Sequence, residues 1–137
     1  MQPLAEQPAP RAAEPRSPST RVLVVDDNAA AESLALLLGL WGHQARVAHD
    51  GPAALRLAQE HRPDVVFLDL GLPGLSGYAV AQRLRREPDL AETLLVAVTG
   101  SEEDGRSHEA GLDLHLTKPV DLDVLRRLLA GRHAPTR

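Results

Sequence analysis

The pattern of apolar and polar residues changes near residue 20. Residues 1–20 contain five prolines among Ala, Glu, Gln and Ser and show neither helical nor strand periodicity, which predicts a disordered tail or linker. From residue 21 onward, short apolar runs alternate with longer segments in which apolar residues recur every three or four positions. We therefore predict one domain over residues 21–131 and a short disordered C-terminal tail over residues 132–137.

The short apolar runs predict five β-strands. Three of them are rich in Val and Leu, which is typical of strands buried on both faces of a parallel sheet; they are Arg21–Val25, Asp64–Leu68 and Leu94–Val98. The runs Gln44–Ala48 and Asp113–Leu116 are more polar. We therefore place these two strands at the edges of the sheet.

The segments between the strands predict helices. Asp50 and Ser76 are predicted N-caps, because their side chains can accept hydrogen bonds from the first helical turn. The predicted helices are Asn28–Trp41, one from Asp50 to about His61, one from Ser76 to about Glu87, and Val120–Ala130. Residues 101–110 contain no large apolar side chain, so a fourth helix between the fourth and fifth strands is predicted to be short or missing.

Five successive β-α units predict an α/β fold. Parallel strands need long crossover connections, and right-handed crossovers place the helices on both faces of the sheet. We predict a doubly wound, five-stranded parallel sheet of the flavodoxin-like type, with strand order 2-1-3-4-5. In that order the three apolar strands are central and the two more polar strands lie at the edges.

Carboxylates, a hydroxyl and a single lysine stand at the ends of four predicted strands. Asp26 and Asp27 follow the first strand, Asp69 the third, Thr99 the fourth and Lys118 the fifth, and Lys118 is the only lysine beside fourteen arginines. Parallel strands end at the same edge of a sheet, so we expect these groups to converge. Three carboxylates repel one another unless a hard cation takes their oxygens as ligands. The residues therefore predict a Mg²⁺ (or Mn²⁺) site that also receives a phosphoryl group, with a carboxylate as nucleophile.

Each of these residues also has a simpler structural interpretation. Asp27 alone could cap the following helix, and Asp69 could belong to the turn before Gly-Leu-Pro-Gly. Thr99 could start a loop, and Lys118 could be an ordinary solvated lysine. Their joint occurrence at matching strand ends favours a shared site.

Four segments resemble the receiver domain of two-component response regulators. They read VLVVDDN, VVFLDLGLPGLSGYAVAQRLR, LLVAVTG and LTKPVDLDVL, and the resemblance covers about Arg21 to Gly131. The sequence around Asp69 and Lys118 is particularly similar to that of receivers attached to hybrid histidine kinases. The resemblance implies a phosphoacceptor signalling domain rather than an enzyme. Its partners would be a histidine kinase or histidine phosphotransfer protein and an unknown output protein, with signalling through that protein or a phosphorelay.

The resemblance also implies roles for individual residues around the metal. Asp69 would be the phosphoacceptor, which takes the phosphoryl group from a phosphohistidine in a Mg²⁺-dependent reaction. Asp27 would bind the metal directly and Asp26 through water, with Asp69 and the backbone carbonyl of Gly71 completing the protein ligands. Because Gly71 has no side chain, the acyl phosphate is expected to be open to water.

The remaining implied roles concern switching. Thr99 would be the switch hydroxyl, and Lys118 would pair with Asp69 and then with the phosphoryl group. The Lys118–Pro119 peptide bond would be cis. His115 occupies the position of a ring that turns inward on phosphorylation; it is either such a switch, with a charge that responds to pH, or a solvated edge-strand side chain.

The other histidines do not predict a metal site. No two of the six stand three or four residues apart, so zinc binding is not expected. We expect His43, His49, His61 and His133 in loops or at the surface.

Composition excludes several classes of protein. The apolar share of 43% is ordinary for a globular domain. No apolar run could span a bilayer or serve as a signal peptide, so no membrane contact is expected. The absence of cysteine excludes disulfides and thiolate metal sites and fits a cytoplasmic protein. The net charge is −4 with arginines scattered among acids, which does not predict a nucleic-acid surface.

Two further functions stay open at this point. A flavodoxin-like cofactor binder would share the topology, but Asp26 and Asp27 would repel a flavin phosphate. A scaffold that keeps the receiver fold without phosphorylation is the other alternative. The chain ends a few residues after the predicted final helix, so we expect no effector domain; the Pro-rich leader fits either a native tail or a linker to a larger protein.

Overall fold

The computed structural model describes residues 20–71, 76–100 and 111–131. Residues 1–19 and 132–137, for which we predict disorder, lie outside the described residues, as does the segment 101–110 with its predicted short or missing helix. Thr20, the last residue of the predicted tail, is buried. Its carbonyl accepts a hydrogen bond from the Gln44 amide at 3.0 Å, so it extends the pairing of the first two strands by one residue.

The described residues form a parallel sheet with helices on both faces. The strands are β1 (Arg21–Val25), β2 (Gln44–Ala48), β3 (Val65–Asp69), β4 (Leu94–Thr99) and β5 (Leu114–Thr117). The helices are α1 (Ala30–Leu40), α2 (Gly51–His61), α3 (Gly77–Arg86) and α4 (Leu122–Gly131), with a 3₁₀ turn over Pro88–Leu90. The order β2-β1-β3-β4-β5, with every pairing parallel, confirms the predicted fold and the predicted edge strands.

Alternate residues of each strand feed two separate cores. One face of the sheet packs against α2 and α3. The buried residues of this core include Leu23, Val66 and Leu95 from the strands and Ala54 and Leu84 from the helices. The opposite face packs against α1 and α4, and its buried residues include Val24, Phe67, Val96, Leu38 and Leu125. Because the central strands are buried on both faces, they read as continuous apolar runs.

Local hydrogen bonds explain where the helices begin. The Asp50 carboxylate accepts from the Ala53 amide at 2.8 Å and the Ser76 hydroxyl from the Ala79 amide at 3.2 Å, which confirms both predicted N-caps. The final helix begins at Leu122 rather than at Val120, because the Asp121 carboxylate accepts from the amide of Asp123 at 2.9 Å and so caps it.

Three strands extend further than predicted. The predicted ends were Leu68, Val98 and Leu116, whereas β3, β4 and β5 end at Asp69, Thr99 and Thr117. Asp69 pairs with Val98, and Thr99 pairs with Thr117. The polar residues are therefore held by the sheet itself rather than by the loops that follow it.

Arg85 of α3 holds the chain together at the end of the sheet where β4 and β5 begin. Its guanidinium donates to the carbonyls of Ala91, Thr93 and Gly111 and to the Asp113 carboxylate, at 2.8–3.3 Å. The Asp113 carboxylate also accepts a hydrogen bond from the backbone amide of Leu95 in β4 at 2.9 Å. Arg85 therefore sets the position of β5, the strand that leads to Lys118.

Across residues 20–71, 76–100 and 111–131, no helix has both the length and the apolar character needed to cross a membrane.

Candidate functional site

Three carboxylates meet at the carboxyl edge of the sheet. One oxygen each from Asp26, Asp27 and Asp69 can be chosen so that all three lie within 4.8 Å of one another. Asp26 is buried, Asp69 is half-buried and Asp27 is exposed, so the cluster is open to solvent on one side. An all-oxygen set with an open side fits a hard cation such as Mg²⁺, which keeps several of its waters. The convergence of these acids is as the sequence predicted.

A tight turn orients Asp26. Its backbone amide donates to the carbonyl of Ala48 in β2 at 3.0 Å. Its side-chain Oδ1 accepts from the Asn28 amide at 3.0 Å, and the Asn28 side chain in turn accepts from the Ala30 amide at 2.9 Å. These hydrogen bonds hold residues 26–29 in a turn. The helix α1 therefore begins at Ala30, whereas the predicted start was Asn28.

Asp69 is held by the glycine that follows it and by the start of α3. Its Oδ1 accepts from the Gly71 amide at 2.9 Å. A Cβ on Gly77 would lie 2.6 Å from the Asp69 carbonyl oxygen and 2.6 Å from Cα of Leu70. Only glycine lets α3 approach the end of β3 this closely. Gly77 was not predicted from the sequence, although a glycine in the first turn of a helix is a signal, because its low helix propensity needs a reason.

Lys118 completes the cluster and contacts two of its acids. Its Nζ forms an ion pair with Oδ2 of Asp69 at 3.7 Å, as the resemblance implied, and donates a hydrogen bond to Oδ2 of Asp26 at 3.0 Å. The shorter contact to Asp26 was not expected. The Lys118 amide donates to the Thr99 carbonyl at 2.8 Å, and the Lys118–Pro119 peptide bond is cis.

These contacts move the protonation equilibria of the two central groups. Burial raises the pKa of the Asp69 carboxyl; the Gly71 hydrogen bond opposes this and the negative charge of Asp26 adds to it, so its pKa lies above the ordinary value. Burial alone lowers the pKa of the Lys118 ammonium. The hydrogen bond to Asp26 and the charge of Asp69 more than offset it, so the pKa of Lys118 is raised.

Thr99 and His115 lie on the same face of the sheet beside this cluster. Thr99 is the last residue of β4, and His115 pairs with Ala97, two residues before it. Because side chains alternate along a strand, both side chains share the α3 side of the sheet. His115 is half-buried, and among the described residues no hydrogen-bond partner reaches its Nε2.

His49 lies exposed in the bend after β2, as expected, and it also contacts this site. Its Nδ1 lies 2.9 Å from the Asp26 carbonyl oxygen and its Nε2 lies 3.1 Å from a Glu32 carboxylate oxygen. The bond to the Asp26 carbonyl, and then the bond to Glu32, raise the pKa of the His49 ring. No sequence pattern indicated these contacts, because they depend on the pairing of β1 with β2.

His61, unlike His49, departs from the expected surface position. It is buried in the last turn of α2, and its Nε2 lies 3.3 Å from the carbonyl oxygen of Gln44. Burial lowers the pKa of the ring; the Gln44 carbonyl opposes this and the charges of Arg46 and Arg21 add to it. The expectation of a surface residue was wrong, because the ring packs beneath the edge strand β2.

Comparison with known proteins identifies the family. The family model of the response regulator receiver domain matches residues 22–130. The chain belongs to this family. It is therefore a receiver domain of two-component response regulators, as the motifs predicted.

The receiver domain is similar to curated proteins of two kinds. It is 41% identical over 114 residues to the sensor histidine kinase RcsC of Salmonella typhimurium, a match of 80% of this chain and 12% of that protein. It is 41% identical over 134 residues to the virulence sensor protein BvgS of Bordetella pertussis (88% and 11%). It is 42% identical over 114 residues to the transcriptional regulatory protein KdpE of Mycobacterium tuberculosis (82% and 50%). The chain thus spans half or less of the length of these relatives.

Solved structures share the fold of this receiver domain. A CheY-like receiver domain from Methylobacillus flagellatus is 34% identical with a TM-score of 0.76, covering 84% of this chain and 99% of that one. The receiver of the Pseudomonas aeruginosa sensor histidine kinase PA1611 is 26% identical with a TM-score of 0.74, covering 82% and 96%, and has a magnesium ion coordinated in its active site cleft. Chemotaxis protein CheY4 of Vibrio cholerae matches the fold with a TM-score of 0.76 at 24% identity (83% and 98%).

Proposed function

We propose that this receiver domain accepts a phosphoryl group from a phosphohistidine onto Asp69 in a Mg²⁺-dependent reaction. The observation that carries the proposal is one pocket that holds Asp26, Asp27, Asp69 and the Lys118 ammonium. The donor would be a histidine kinase or a histidine phosphotransfer protein. The product would act in the cytoplasm on an output protein or pass its phosphoryl group along a phosphorelay.

The carboxylate cluster supports the metal assignment. Asp27 is the most exposed of the three acids and would bind the ion directly, together with Asp69 and the Gly71 carbonyl. Asp26 would act through a water, because both of its carboxylate oxygens already accept hydrogen bonds, from Asn28 and from Lys118. When bound, Mg²⁺ (or Mn²⁺) would neutralise negative charge on the phosphoryl oxygens. The magnesium in the cleft of the PA1611 receiver agrees with this assignment.

The residues of the chain have defined tasks in the transfer. An Asp69 carboxylate oxygen attacks phosphorus, the P–N bond to the donor imidazole breaks, and the leaving imidazole takes a proton; an acyl phosphate remains on Asp69. The Gly71 amide holds the other side of the carboxylate in place. Lys118, anchored on Asp26, offers its ammonium to the transferred group, since transfer of this kind depends on positioning and charge neutralisation.

Thr99 and His115 would transmit the change. We assign the Thr99 hydroxyl to a phosphoryl oxygen, because Thr99 ends β4 and its carbonyl binds the backbone of Lys118. The buried Nε2 of His115, which has no hydrogen-bond partner within the described part of the chain, supports a switch role for the ring, since another conformation could supply the missing bond. A His115→Ala protein that binds its output partner with unchanged dependence on phosphorylation would rule this role out.

We also propose boundaries for the receiver domain and its surroundings. Residues 21–131, together with the buried Thr20, would fold as the receiver, with residues 1–19 as a tail or linker and residues 132–137 as a C-terminal tail. We propose no nucleic-acid contact for the domain itself, because its arginines are interspersed with acids. Its own chemistry would be limited to self-catalysed phosphorylation and hydrolysis.

Labelling with a small phosphodonor tests the central proposal. Incubation with acetyl phosphate and Mg²⁺ should add the mass of one phosphoryl group to the wild-type protein, and EDTA should prevent it. Asp69→Asn should abolish the adduct, whereas Asp64→Asn, in the residue that precedes the same strand, should retain it. An unmodified wild-type protein would contradict the proposal and favour the phosphorylation-independent scaffold. Binding of beryllofluoride with Mg²⁺ would independently exclude that scaffold.

A further inference from the structure

His49 is bound to the backbone of a proposed metal-binding residue. We infer, on the basis of the proposed function, that His49 is a positioning residue that sets the Mg²⁺ affinity of the site by fixing the main chain of Asp26. His49 itself has no place among the proposed ligands or the reacting groups. It acts from behind the turn that carries Asp26 and Asp27.

Two consecutive residues at the end of β2 hold both backbone groups of Asp26. The Asp26 amide donates to the Ala48 carbonyl at 3.0 Å. The Asp26 carbonyl lies 2.9 Å from Nδ1 of His49. A carbonyl oxygen only accepts, so Nδ1 carries the hydrogen and donates. These contacts from β2 fix the orientation of the peptide plane between Asp26 and Asp27. They thereby set the direction in which the Asp26 and Asp27 side chains project from the backbone.

Glu32 orients the ring from the first turn of α1. Its carboxylate lies 3.1 Å from Nε2 of His49, and the two side chains are 64% and 48% exposed. An ion pair this exposed contributes little free energy, typically about 0–1 kcal/mol. The hydrogen bond to the Asp26 carbonyl is therefore the contact that matters for the site, and Glu32 has an auxiliary role.

Two effects of His49 on a bound cation oppose each other. The hydrogen bond favours binding, because ligands that are already oriented need no ordering when the ion arrives; loss of a supporting contact of this kind typically weakens a metal site by about 10–100-fold. A positive ring near the carboxylates disfavours binding, but the ring is half-exposed and solvent screens its charge. We expect the positioning effect to dominate.

Three substitutions at His49 separate these two effects. Asparagine places its amide close to the Nδ1 position and carries no charge, so it keeps the donor to the Asp26 carbonyl. Glutamine places its amide close to the Nε2 position, so it keeps the Glu32 contact and loses the donor to Asp26. Alanine loses both contacts. Glu32→Gln keeps an acceptor for the ring, and Glu60→Gln, an exposed glutamate of α2, is its matched control.

Calorimetric titration of the unphosphorylated full chain with Mg²⁺ is the measurement. We expect His49→Ala and His49→Gln to weaken Mg²⁺ binding by about tenfold. His49→Asn should bind within about twofold of wild type or tighter, since it keeps the donor to the Asp26 carbonyl and loses only the exposed contact to Glu32 and a screened charge. Glu32→Gln and Glu60→Gln should stay close to wild type. Urea unfolding of the same proteins establishes that the domain is folded in each.

The outcomes distinguish this inference from the proposed function. If all three His49 variants bind Mg²⁺ equally and more tightly than wild type, charge alone matters and the inference is wrong. If His49→Ala and His49→Gln both match wild type, the inference also fails, while labelling of Asp69 in the wild-type protein still upholds the proposed function. A wild-type protein that neither binds Mg²⁺ nor becomes labelled would overturn both.

Discussion

The Nζ of Lys118 lies 3.0 Å from Oδ2 of Asp26, although 92 positions separate the two residues in the chain. The contact to Oδ2 of Asp69 is longer, 3.7 Å, which is beyond hydrogen-bonding distance. The ammonium therefore offsets part of the negative charge of the cluster without donating directly to the proposed nucleophile. Its position between two acids leads to opposite expectations for metal binding and for phosphorylation.

Replacing Lys118 with methionine should separate those two properties. Removing a positive charge beside three carboxylates should tighten Mg²⁺ binding severalfold, because the remaining negative charge attracts the ion more strongly. Phosphorylation by acetyl phosphate should become much slower, because the ammonium no longer neutralises the transferred group. Lys118→Arg should keep Mg²⁺ affinity near wild type but phosphorylate slowly, since a planar fork does not replace a compact ammonium. Weaker Mg²⁺ binding by Lys118→Met would contradict this interpretation.

Gly77→Ala should destabilise the domain. The added Cβ would lie 2.6 Å from backbone atoms of Asp69 and Leu70, so α3 must shift, at a cost of about 1–3 kcal/mol. Gly39→Ala in α1 is the control, since nothing lies within 4 Å of its Cβ position; it should stabilise the helix by about 0.5–1 kcal/mol. Urea unfolding measures both changes in the free energy of unfolding. Equal effects of the two substitutions would show that the close approach at Gly77 has no energetic consequence.

Side chains at position 71 should alter the lifetime of the acyl phosphate. A Cβ on Gly71 would lie 3.6 Å from Oδ1 of Asp69, an ordinary van der Waals contact, so the position accepts a Cβ without a clash. Gly71→Met should slow hydrolysis severalfold, because its apolar side chain shields the acyl phosphate from water. Gly71→Asn should change the rate less, since a polar side chain still admits water. Loss of the phosphorylated mass with time measures the rate, and an unchanged rate in both variants would refute the expectation.

Arg85→Ala should cost about 2 kcal/mol of stability, because it removes a donor from three backbone carbonyls and one of two donors from the Asp113 carboxylate. Arg85→Lys should recover little of this, since one ammonium cannot reach acceptors that a planar fork spans. Arg83→Ala, an exposed arginine of the same helix, should change stability by less than about 0.5 kcal/mol. The free energy of unfolding in urea is the measured quantity. A loss at Arg83 as large as that at Arg85 would contradict the assignment.

Low pH should decrease the free energy of unfolding of the domain through protonation of His61. Burial, with the charges of Arg46 and Arg21, keeps the pKa of the ring below its ordinary value in the folded state. Above about pH 6.5 the ring is neutral in both states and has no effect on the pH dependence. As the pH falls below this value, the unfolded chain binds the proton more readily, so the free energy of unfolding decreases until the folded ring is also protonated.

The difference between wild type and His61→Gln isolates this contribution. Glutamine keeps a donor for the Gln44 carbonyl but does not titrate, and other groups contribute equally to both proteins. We expect the variant to lose less stability than wild type between about pH 7 and about pH 5. Parallel curves over that range would show that His61 is not the responsible group.

Elements with a strong local signal were predicted closely. β1 and β2 have the predicted bounds, because short apolar or alternating runs are flanked by polar residues on both sides. Asp50 and Ser76 cap their helices as predicted, since capping needs only a side chain and a backbone amide three residues later. These features depend on neighbouring residues alone, which a sequence shows directly.

The buried face of α1 was predicted less well. Leu34, Leu37, Leu38 and Trp41 recur at helical spacing, which predicts one apolar face. Of these four, Leu38 is fully buried, while the other three are half-buried. The Arg126 guanidinium of α4 lies 4.4 Å from the centre of the Trp41 ring and covers it in part. When leucines lie on all sides of a helix, helical periodicity does not show which side is buried. The elements that pack against the helix decide this.

The sequence by itself determined the class of the fold, its strand order and the strand ends that carry Asp26, Asp69 and Lys118, because hydrophobic periodicity and parallel topology require no knowledge of distant contacts. Only the tertiary structure decided that Lys118 binds Asp26 and that His49 holds the Asp26 carbonyl. Which of two nearby groups becomes the hydrogen-bond partner depends on differences of a few tenths of an ångström in the distances between residues on different strands. Those distances follow from strand register and helix packing, which become defined only when the whole sheet assembles.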